Sequence, residues 1–364
     1  MPDPRSPIAD PPAWPRAVLH LDMDAFFVNV HLLERPEDAG LPLVVGGRPE
    51  GRGVVASASY EARQFGVRSA MPTARALRLC PQLKIVGFNW SRIRSCSQQV
   101  MVVLARYGPV EKVSVDEAYV DGSAWADPPA LARELREAVE AETSLPASAG
   151  LATSKLVAKV ASDHQKPRGF TVVLPGEEEA FLAPLPVRAI WGIGPRTTER
   201  LARLGITTCG QLAHADLETL QGTFGRRAEE LRLRAQGVDP RPVQADAGRR
   251  KSLSQEITFS EDVADPAVMK RELVEMAEAV AALLQERSLV ANTVVVKFRW
   301  ADFTTFTRQR TVEYSFDDAE TVVRLALALW AENWPVGQRV RLLGVGVSNL
   351  QEPAGRQLSL FGPE

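Results

Sequence analysis

Cysteine and histidine are too scarce in this sequence to build a zinc site or a disulfide framework. Three cysteines (Cys80, Cys96 and Cys209) lie far apart, without CxxC or CxxH spacing, and the four histidines are scattered. Zinc sites and disulfide scaffolds need clustered or paired ligands. We therefore expect buried, reduced thiols in a reducing cytoplasm.

Long apolar runs, a leader sequence and an excess of one charge are also absent. No stretch of 18 apolar residues occurs, and the start of the chain, rich in Pro and Asp, has no apolar signal-peptide core. The formal net charge is −2, so composition alone does not indicate a nucleic-acid partner. The P-loop sequence GxxxxGKS or GxxxxGKT is missing as well. These absences predict a cytoplasmic protein without a membrane span that is not a P-loop enzyme.

The 364 residues suggest two to four domains of ordinary size. Residues 1–15 are Pro-rich, which predicts disorder. A buried strand interrupted by acids is predicted over 17–27, and a helix over 62–79, punctuated by Gly66 and Pro72.

The predicted secondary structure changes twice in the second half of the chain. Short helices with Gly-containing turns are predicted over 187–240. A polar linker follows at 241–250, and strands flanking two helices are predicted over 255–350.

Two acidic pairs stand in apolar surroundings. Asp22 and Asp24 are two apart in a predicted strand, so their side chains share one face. Asp116 and Glu117 lie in VSVDEAYV, where two short strands meet. Buried carboxylates repel each other unless a cation neutralises them, and their oxygens suit Mg²⁺ rather than zinc. Two such ions about 3.5–4 Å apart activate a hydroxyl and stabilise a leaving pyrophosphate; the alternative is that each pair caps a turn.

Cationic and hydroxyl side chains near these acids point to a phosphate ligand. Ser57, Tyr60 and Arg63 follow one another at close spacing, and Lys166 and Arg168 end the stretch SDHQKPRG. Arginine and lysine bind phosphate oxygens by charge-assisted hydrogen bonds. By pattern alone, each of them is equally compatible with a solvated surface.

Basic residues two apart recur in the predicted C-terminal strands. Period-2 spacing places each pair on one face of a sheet, and adjacent strands would merge the pairs into one patch. Such a patch would follow a DNA backbone, whereas ordinary alternation would include acids among these positions. The pairs are Lys297 and Arg299, Arg308 and Arg310, and Arg339 and Arg341.

Four stretches of the sequence resemble, in order, the motifs of Y-family DNA polymerases, and most closely those of the DNA polymerase IV class. They are LDMDAFFVNV, VVASASYEARQFGVRSAMP, SVDEAYVDGS and GLATSKLVAKVASDHQKPRG. The likeness runs in register from Val18 to Gly169 and continues, less specifically, to about residue 350. It implies template-directed, two-metal addition of dNTPs to a primer 3′-hydroxyl with release of pyrophosphate. It also implies bypass of DNA damage with low fidelity, a mutator character and no proofreading.

The same resemblance assigns the acidic residues. Asp22, Asp116 and Glu117 correspond to the catalytic, metal-binding carboxylates, and the backbone of Met23 to a further ligand. Asp24 belongs to the motif without an expected direct bond to metal. The cofactor implied is two Mg²⁺ ions, with Mn²⁺ as an alternative.

The nucleotide-binding positions also follow from the resemblance. Phe27 stands at the steric gate, where an aromatic ring excludes the ribose 2′-hydroxyl; a core aromatic is the alternative reading. Val54, Ala56 and Ala70 correspond to the roof over the nascent base pair. The residues implied to hold the incoming dNTP are Phe26, Phe27, Ser57, Tyr60, Arg63 and Lys166.

The implied architecture is an α+β right hand with a helical thumb and a C-terminal little finger of sheet and helices. The stretch RAIWGIGPRTTERLARLGI (188–206) looks like a helix-hairpin-helix, in which Gly192 and Gly194 aim backbone N–H groups at a DNA phosphate. The domains implied are a disordered start at 1–15, palm at 16–25 and 88–173, fingers at 26–87, thumb at 174–240, linker at 241–250, little finger at 251–350 and a tail at 351–364.

The tail carries a short apolar peptide, QLSLF, after a polar spacer. Exposed apolar side chains on a tail indicate a docking peptide, and this one is similar to the sliding-clamp-binding motif of bacterial polymerases. The alternative is a tail folded back on its own domain. The peptide comprises Gln357, Leu358, Leu360 and Phe361; the chain is otherwise expected to be a monomer that binds primer–template DNA.

Two other functions stay open from the sequence. A nucleotide cyclase uses similar paired acids on a palm-like sheet, but it needs no thumb, linker or basic sheet. A DNA-binding or clamp-binding scaffold descended from a polymerase would have no need of intact Asp22, Asp116 and Glu117. Primer extension distinguishes the three.

Overall fold

The computed structural model describes residues 14–246 and 248–353. The predicted disordered start falls almost wholly outside this part, and the predicted clamp-binding peptide at 357–361 lies outside it. No helix among the described residues is long and apolar enough to cross a membrane. All three cysteines are buried and outside any disulfide, as predicted. The cytoplasmic location and the monomeric state stay predictions.

The described chain contains three groups of helices and strands. The first is β1 (Val18–Met23), α1 (Phe26–Glu34), β2 (Leu43–Gly46), β3 (Val55–Ala58), α2 (Tyr60–Gln64), α3 (Thr73–Leu79), β4 (Lys84–Val86), α4 (Trp90–Leu104), β5 (Val110–Lys112), β6 (Glu117–Asp121), α5 (Pro128–Thr143), β7 (Ala147–Ala152), α6 (Lys155–His164) and β8 (Phe170–Val172). The second is α7 (Glu178–Leu182), α8 (Pro195–Arg203), α9 (Cys209–Ala213), α10 (Leu217–Phe224) and α11 (Arg227–Ala235). The third is β9 (Ser252–Val263), α12 (Pro266–Glu286), β10 (Ala291–Trp300), β11 (Thr305–Phe316), α13 (Ala319–Asn333) and β12 (Val340–Ser348).

A five-stranded sheet with the order β5-β6-β1-β7-β8 forms the centre of the first group. Its middle strand, β1, pairs antiparallel with β6 and β7. Leu19 and Leu21 pack with α4 and α5 on one face, whereas Val18 packs with α6 on the other. Because side chains alternate along a strand, Asp22 projects from the α6 face.

The predicted strand over 17–27 is too long. β1 ends at Met23, and α1 begins at Phe26. Between them Ala25 has a left-handed backbone (φ 41°), which turns the chain out of the sheet. The prediction failed because a short apolar run fits a strand and a buried helix equally well.

The predicted helix over 62–79 is two helices. α2 ends at Gln64 and α3 begins at Thr73. Gly66 adopts φ +84°, and Pro72 precedes the first residue of α3. Both residues disfavour a continuous helix through their backbone preferences, so Gly66 and Pro72 mark the segment that separates the two helices.

The short helices predicted over 187–240 are confirmed as α8–α11, and together with α7 they share one apolar core with α6. The C-terminal sheet has the antiparallel order β11-β10-β12-β9, and α12 and α13 cover one of its faces. The predicted α+β class is therefore confirmed.

The described residues divide into two compact units. The limits predicted for palm, fingers, thumb, linker and little finger stay predictions. The first unit comprises 14–45, 56–69 and 82–246, and the second comprises 46–55, 70–81 and 248–353.

Candidate active site

Three neighbouring strands bring the predicted acids together. Asp22 on β1 stands in register opposite Glu117 on β6 and Ser148 on β7. Directly opposed residues in antiparallel strands project from the same face. Asp116 precedes β6, and its carbonyl accepts a hydrogen bond from the Met23 N–H at 3.0 Å. The sheet pairing therefore brings the two acidic motifs together.

Burial makes Asp22 difficult to ionise without a cation. Its side chain is 13% exposed. Burial raises the pKa of Asp22 to about 7; the neighbouring Lys166 opposes this shift, and Glu117 adds to it. The Lys166 ammonium lies 2.8 Å from the Asp22 carboxylate and 2.8 Å from that of Asp163. Burial alone would lower the pKa of Lys166, but these two carboxylates outweigh it and raise the pKa.

A second lysine accompanies Glu117. The Lys159 Nζ on α6 lies 2.8 Å from the Glu117 carboxylate. Lys159 was not identified from the sequence; it lies on α6, whereas Lys166 lies two residues beyond the end of that helix. Each of the two opposed acids therefore has an ammonium partner from the segment that begins with α6.

Asp24 lies beyond the end of β1, in the turn before α1. It is almost completely buried. Its carboxylate accepts hydrogen bonds from the Ser148 hydroxyl (2.9 Å), the Arg168 N–H (2.7 Å) and the Tyr60 hydroxyl (3.1 Å). These bonds tie the end of β1 to β7, to α2 and to the segment after α6.

One cavity of about 160 Å³ collects most of the residues predicted to bind the nucleotide and metal. Ala25, Ala56 and Ser69 also line it, whereas Glu117 does not. The predicted residues on its wall are Asp22, Met23, Phe26, Phe27, Ser57, Tyr60, Arg63, Asp116 and Lys166. The cavity brings acidic, hydroxyl, cationic and aromatic side chains to one place.

Helix α2 contributes Tyr60 and Arg63 to the lining of this cavity. The Arg63 guanidinium lies 4.5 Å from the centre of the Tyr60 ring, and its Nε donates to the Ala58 carbonyl at 3.1 Å. Burial, and next the charge of Asp24, raise the pKa of Tyr60 to about 12. Tyr60 therefore stays a neutral hydroxyl. Arg168, in contrast, directs its guanidinium to Glu140 at 2.8 Å.

The acids offer the ligand atoms that Mg²⁺ prefers. Among the residues that the structure describes, no three His, Cys, Asp or Glu side chains already form a closed metal cluster. Mg²⁺ does not require one, since it usually binds one or two carboxylates and completes its shell with water and substrate phosphates. The buried Asp22 carboxylate, whose pKa is raised, fits a site in which a cation replaces the ammonium partner.

The predicted hairpin at 188–206 contains a glycine turn directly before α8. Gly192 adopts φ +90°, and Gly194 directly precedes α8. The neighbouring Trp191 side chain is exposed and lies near the guanidinium groups of Arg234 and Arg241.

The prediction of one merged basic patch is wrong for β10 and β11. Val294, Val296 and Phe298 belong to the core beneath the helices, so Lys297 and Arg299 project from the opposite, helix-free face. On β11 the arginines stand opposite core residues instead. The register pairs Arg308 with Val296 and Arg310 with Val294.

The β11 arginines are therefore on the helix side of the sheet. Arg308 donates to Asn333 at 3.1 Å, and Arg310 lies 2.7 Å from Glu332 at the end of α13. The helix-free face also carries an acid, because Lys297 pairs with Glu256 on β9 at 2.7 Å. Period-2 spacing predicts that two residues of one strand share a face of the sheet. It does not predict which residues of the neighbouring strand lie on that same face, because this depends on the register.

The two arginines of the third basic pair have different partners. Arg339 precedes β12 and donates to the Asp262 carbonyl at 3.4 Å. The Arg341 guanidinium lies 4.3 Å from the centre of the Phe303 ring.

Comparison with known families covers most of the chain. Residues 21–163 match the impB/mucB/samB family, and residues 250–360 match the C-terminal domain of that family. Residues 175–206 match the family's helix-hairpin-helix motif, which supports the hairpin predicted at Gly192 and Gly194.

Individual relatives agree with the family match. The chain is 43% identical to DNA polymerase IV of Methanoculleus marisnigri, over 95% of this chain and 97% of the relative. It is 42% identical to DNA polymerase IV of Halorhodospira halophila, over 95% and 98%. Among solved structures, it is similar to a Y-family DNA polymerase chimera, Dbh-Dpo4(243-245)-Dbh, with a TM-score of 0.80 and 25% identity over 92% of this chain and 98% of that one.

Proposed function

Because this chain belongs to the Y family of DNA polymerases, in the DNA polymerase IV class, we propose a two-metal mechanism of primer extension at the cavity described above. The chain is a DNA-directed DNA polymerase with the fold of that family. The observation that carries the mechanism is the register that places Asp22 opposite Glu117, with Asp116 in the adjoining turn. Neither the nucleotide cyclase nor the scaffold is retained.

Asp22, Asp116, Glu117 and the Met23 backbone would hold the metal ions, with Glu117 opposite Asp22 on the neighbouring strand. When bound, divalent cations supply the positive charge that activates the primer hydroxyl and stabilises the leaving pyrophosphate. We expect Mg²⁺, with Mn²⁺ as a substitute, since all the side-chain ligands are oxygens. The Lys166 ammonium, now paired with Asp22, would turn to the phosphates of the substrate.

The remaining cavity residues bind and select the dNTP. Ser57, Tyr60 and Arg63 contribute hydroxyl and guanidinium donors to the triphosphate. The Phe27 ring stands where a ribose 2′-hydroxyl would clash, which discriminates by repulsion. The small residue Ala56 on the cavity wall would leave room beside the base pair.

Lesion bypass, low fidelity and the lack of proofreading are part of this proposal. So are the DNA contacts of the helix-hairpin-helix and of the C-terminal sheet. The helix-free face with Lys297 and Arg299 is the better candidate for DNA, because Arg308 and Arg310 are engaged with α13. Docking of the QLSLF peptide on a sliding clamp completes the proposal.

Primer extension on a defined template with Mg²⁺ tests the acidic centre. We expect Asp116→Ala to lower the rate of dNTP incorporation about a thousandfold, equivalent to several kcal/mol of transition-state stabilisation. Binding of primer–template DNA, measured by fluorescence anisotropy, should stay within about twofold, since other segments hold the DNA. Glu137→Ala, at an exposed site on α5, is the matched control.

Two results would contradict the proposal. Retained incorporation by Asp116→Ala would remove the metal assignment. If the unaltered protein binds DNA tightly but does not extend the primer, the chain acts as a DNA-binding scaffold and not as a polymerase.

A further inference from the structure

Phe27 is surrounded by two aromatic rings that the proposed mechanism does not use. The ring centres of Phe27 and Trp90 are 5.8 Å apart at an interplanar angle of 72°, and those of Phe27 and Phe88 are 6.2 Å apart at 76°. Phe88 and Trp90 stack on each other at 5.1 Å and 5°. The stacked pair therefore stands beside the Phe27 ring, and each of its rings meets Phe27 in the edge-to-face geometry that aromatic pairs favour.

These two rings are not core residues. Phe88 is 39% exposed and Trp90 is 46% exposed. An exposed aromatic pair on a protein surface loses part of the gain from burial, so core packing does not account for it. Phe27 lines the cavity and the two other rings do not, so the exposed pair contacts a side chain of the candidate active site from outside the cavity wall.

The segment that carries the rings is fixed to α1 at a second point. The Asn89 side chain caps α4 by accepting from the Arg92 N–H at 3.2 Å, and its amide donates to Glu34 at 3.3 Å. Arg92 also approaches Glu34 at 3.7 Å. Glu34 is the last residue of α1, whereas Phe27 is the second. The start of α4 thus holds α1 at both ends.

We infer that Phe88 and Trp90 are positioning residues that set the selectivity between deoxyribonucleotides and ribonucleotides by holding the Phe27 ring in place. This inference rests on the proposed steric gate at Phe27. A gate that acts by repulsion discriminates only if the ring cannot yield when a 2′-hydroxyl presses on it. Close packing behind the ring removes the space into which it would turn.

Single-nucleotide insertion of dCTP and rCTP opposite template dG measures the effect. We expect Trp90→Leu and Phe88→Leu each to lower the ratio of kcat/KM for dCTP to that for rCTP about three- to tenfold, through faster rCTP insertion. Trp90→Phe, which restores an aromatic ring, should recover most of the ratio. Val102→Ala, at an exposed site on the same helix, is the control. A ratio measured on one preparation does not depend on its folded fraction, so a destabilised variant still gives an answer.

Combination with Phe27→Leu separates this inference from the gate itself. If the rings act through Phe27, adding Trp90→Leu to Phe27→Leu should change the ratio no further. An additional loss of the same size would overturn the positioning role, because the rings would then act on the sugar directly. An unchanged ratio in Trp90→Leu and Phe88→Leu, while Phe27→Leu admits rCTP, would overturn the inference and leave the gate intact. An unchanged ratio in Phe27→Leu would remove the gate and the inference together.

Discussion

Asp24 holds the end of β1 against three other segments of the chain. Its buried carboxylate accepts hydrogen bonds from Ser148, Tyr60 and the Arg168 N–H. A hydrogen bond to a buried charged group contributes about 1.5–3 kcal/mol, and its loss leaves a donor unsatisfied. Asp24 therefore stabilises the turn that carries Phe26 and Phe27 into the cavity.

We expect Asp24→Asn to lower the free energy of unfolding by about 2 kcal/mol, because the amide has one acceptor oxygen and turns a donor toward other donors. Urea denaturation measures the change. Glu137→Gln, whose side chain is 60% exposed, should shift it by less than about 0.5 kcal/mol. Equal stability of Asp24→Asn and the unaltered protein would contradict this role.

At the residue scale, the charges and spacings of the site residues could be seen in the sequence, but their ion-pair partners could not. Asp22 and Asp116 were singled out because acids in apolar strands are conspicuous, whereas Tyr60 and Lys166 were assigned by the resemblance to the Y-family motifs. Lys159 was missed because its partner, Glu117, lies on a strand 42 positions earlier, and the pair forms only when α6 packs on the sheet.

At the scale of elements, strand register decides which basic residues share a surface. The register of β10 with β11 turns Arg310 to the helix side and Arg299 to the helix-free side. Arg310 already has a carboxylate partner, whereas Arg299 donates to a threonine hydroxyl, that of Thr305, at 2.7 Å. The two arginines therefore differ in their availability to a phosphate.

We expect Arg299→Ala to weaken binding of primer–template DNA several-fold and to reduce the salt dependence of binding by about one unit of slope, because one phosphate contact is lost. Arg310→Ala should leave both quantities nearly unchanged. Fluorescence anisotropy across a series of KCl concentrations measures them. An equal loss for the two variants would show that both faces meet DNA.

Most elements could be predicted from their local patterns. The short helical patterns over 187–240 located α8–α11, and the strand and helix patterns over 255–350 located β9–β12 together with α12 and α13. The failures were at 17–27 and 62–79, where a turn at Ala25 and breaks at Gly66 and Pro72 interrupted continuous patterns. Register between strands leaves no local signal, so the faces of Arg308 and Arg310 needed the structure.

At the scale of the whole molecule, the first residues of the predicted linker are bonded within the first unit. Asp239 accepts from the Leu156 N–H at 3.1 Å and from Arg241 at 2.7 and 2.8 Å. Further on, the Gln244 N–H donates to Glu111 at 2.7 Å, and Lys155 lies 2.6 Å from the same carboxylate. The free length of the tether is therefore shorter than the linker that composition predicts.

The Asp239 anchor should make the stability of the first unit depend on pH. Burial raises the pKa of Asp239, but the hydrogen bonds from Arg241 and Leu156 outweigh it, and the pKa falls below its ordinary value of 3.8. A folded-state pKa below the unfolded one contributes stability above pH 3.8, and this contribution is lost as pH falls through the folded pKa.

We expect Asp239→Asn to lower the free energy of unfolding by about 2 kcal/mol at pH 7 and by progressively less in acid, since the native carboxylate also loses its charge there. Urea denaturation from pH 7 to pH 3 measures the difference from the unaltered protein; a difference that does not vary with pH would mean that the charge of Asp239 does not hold the tether.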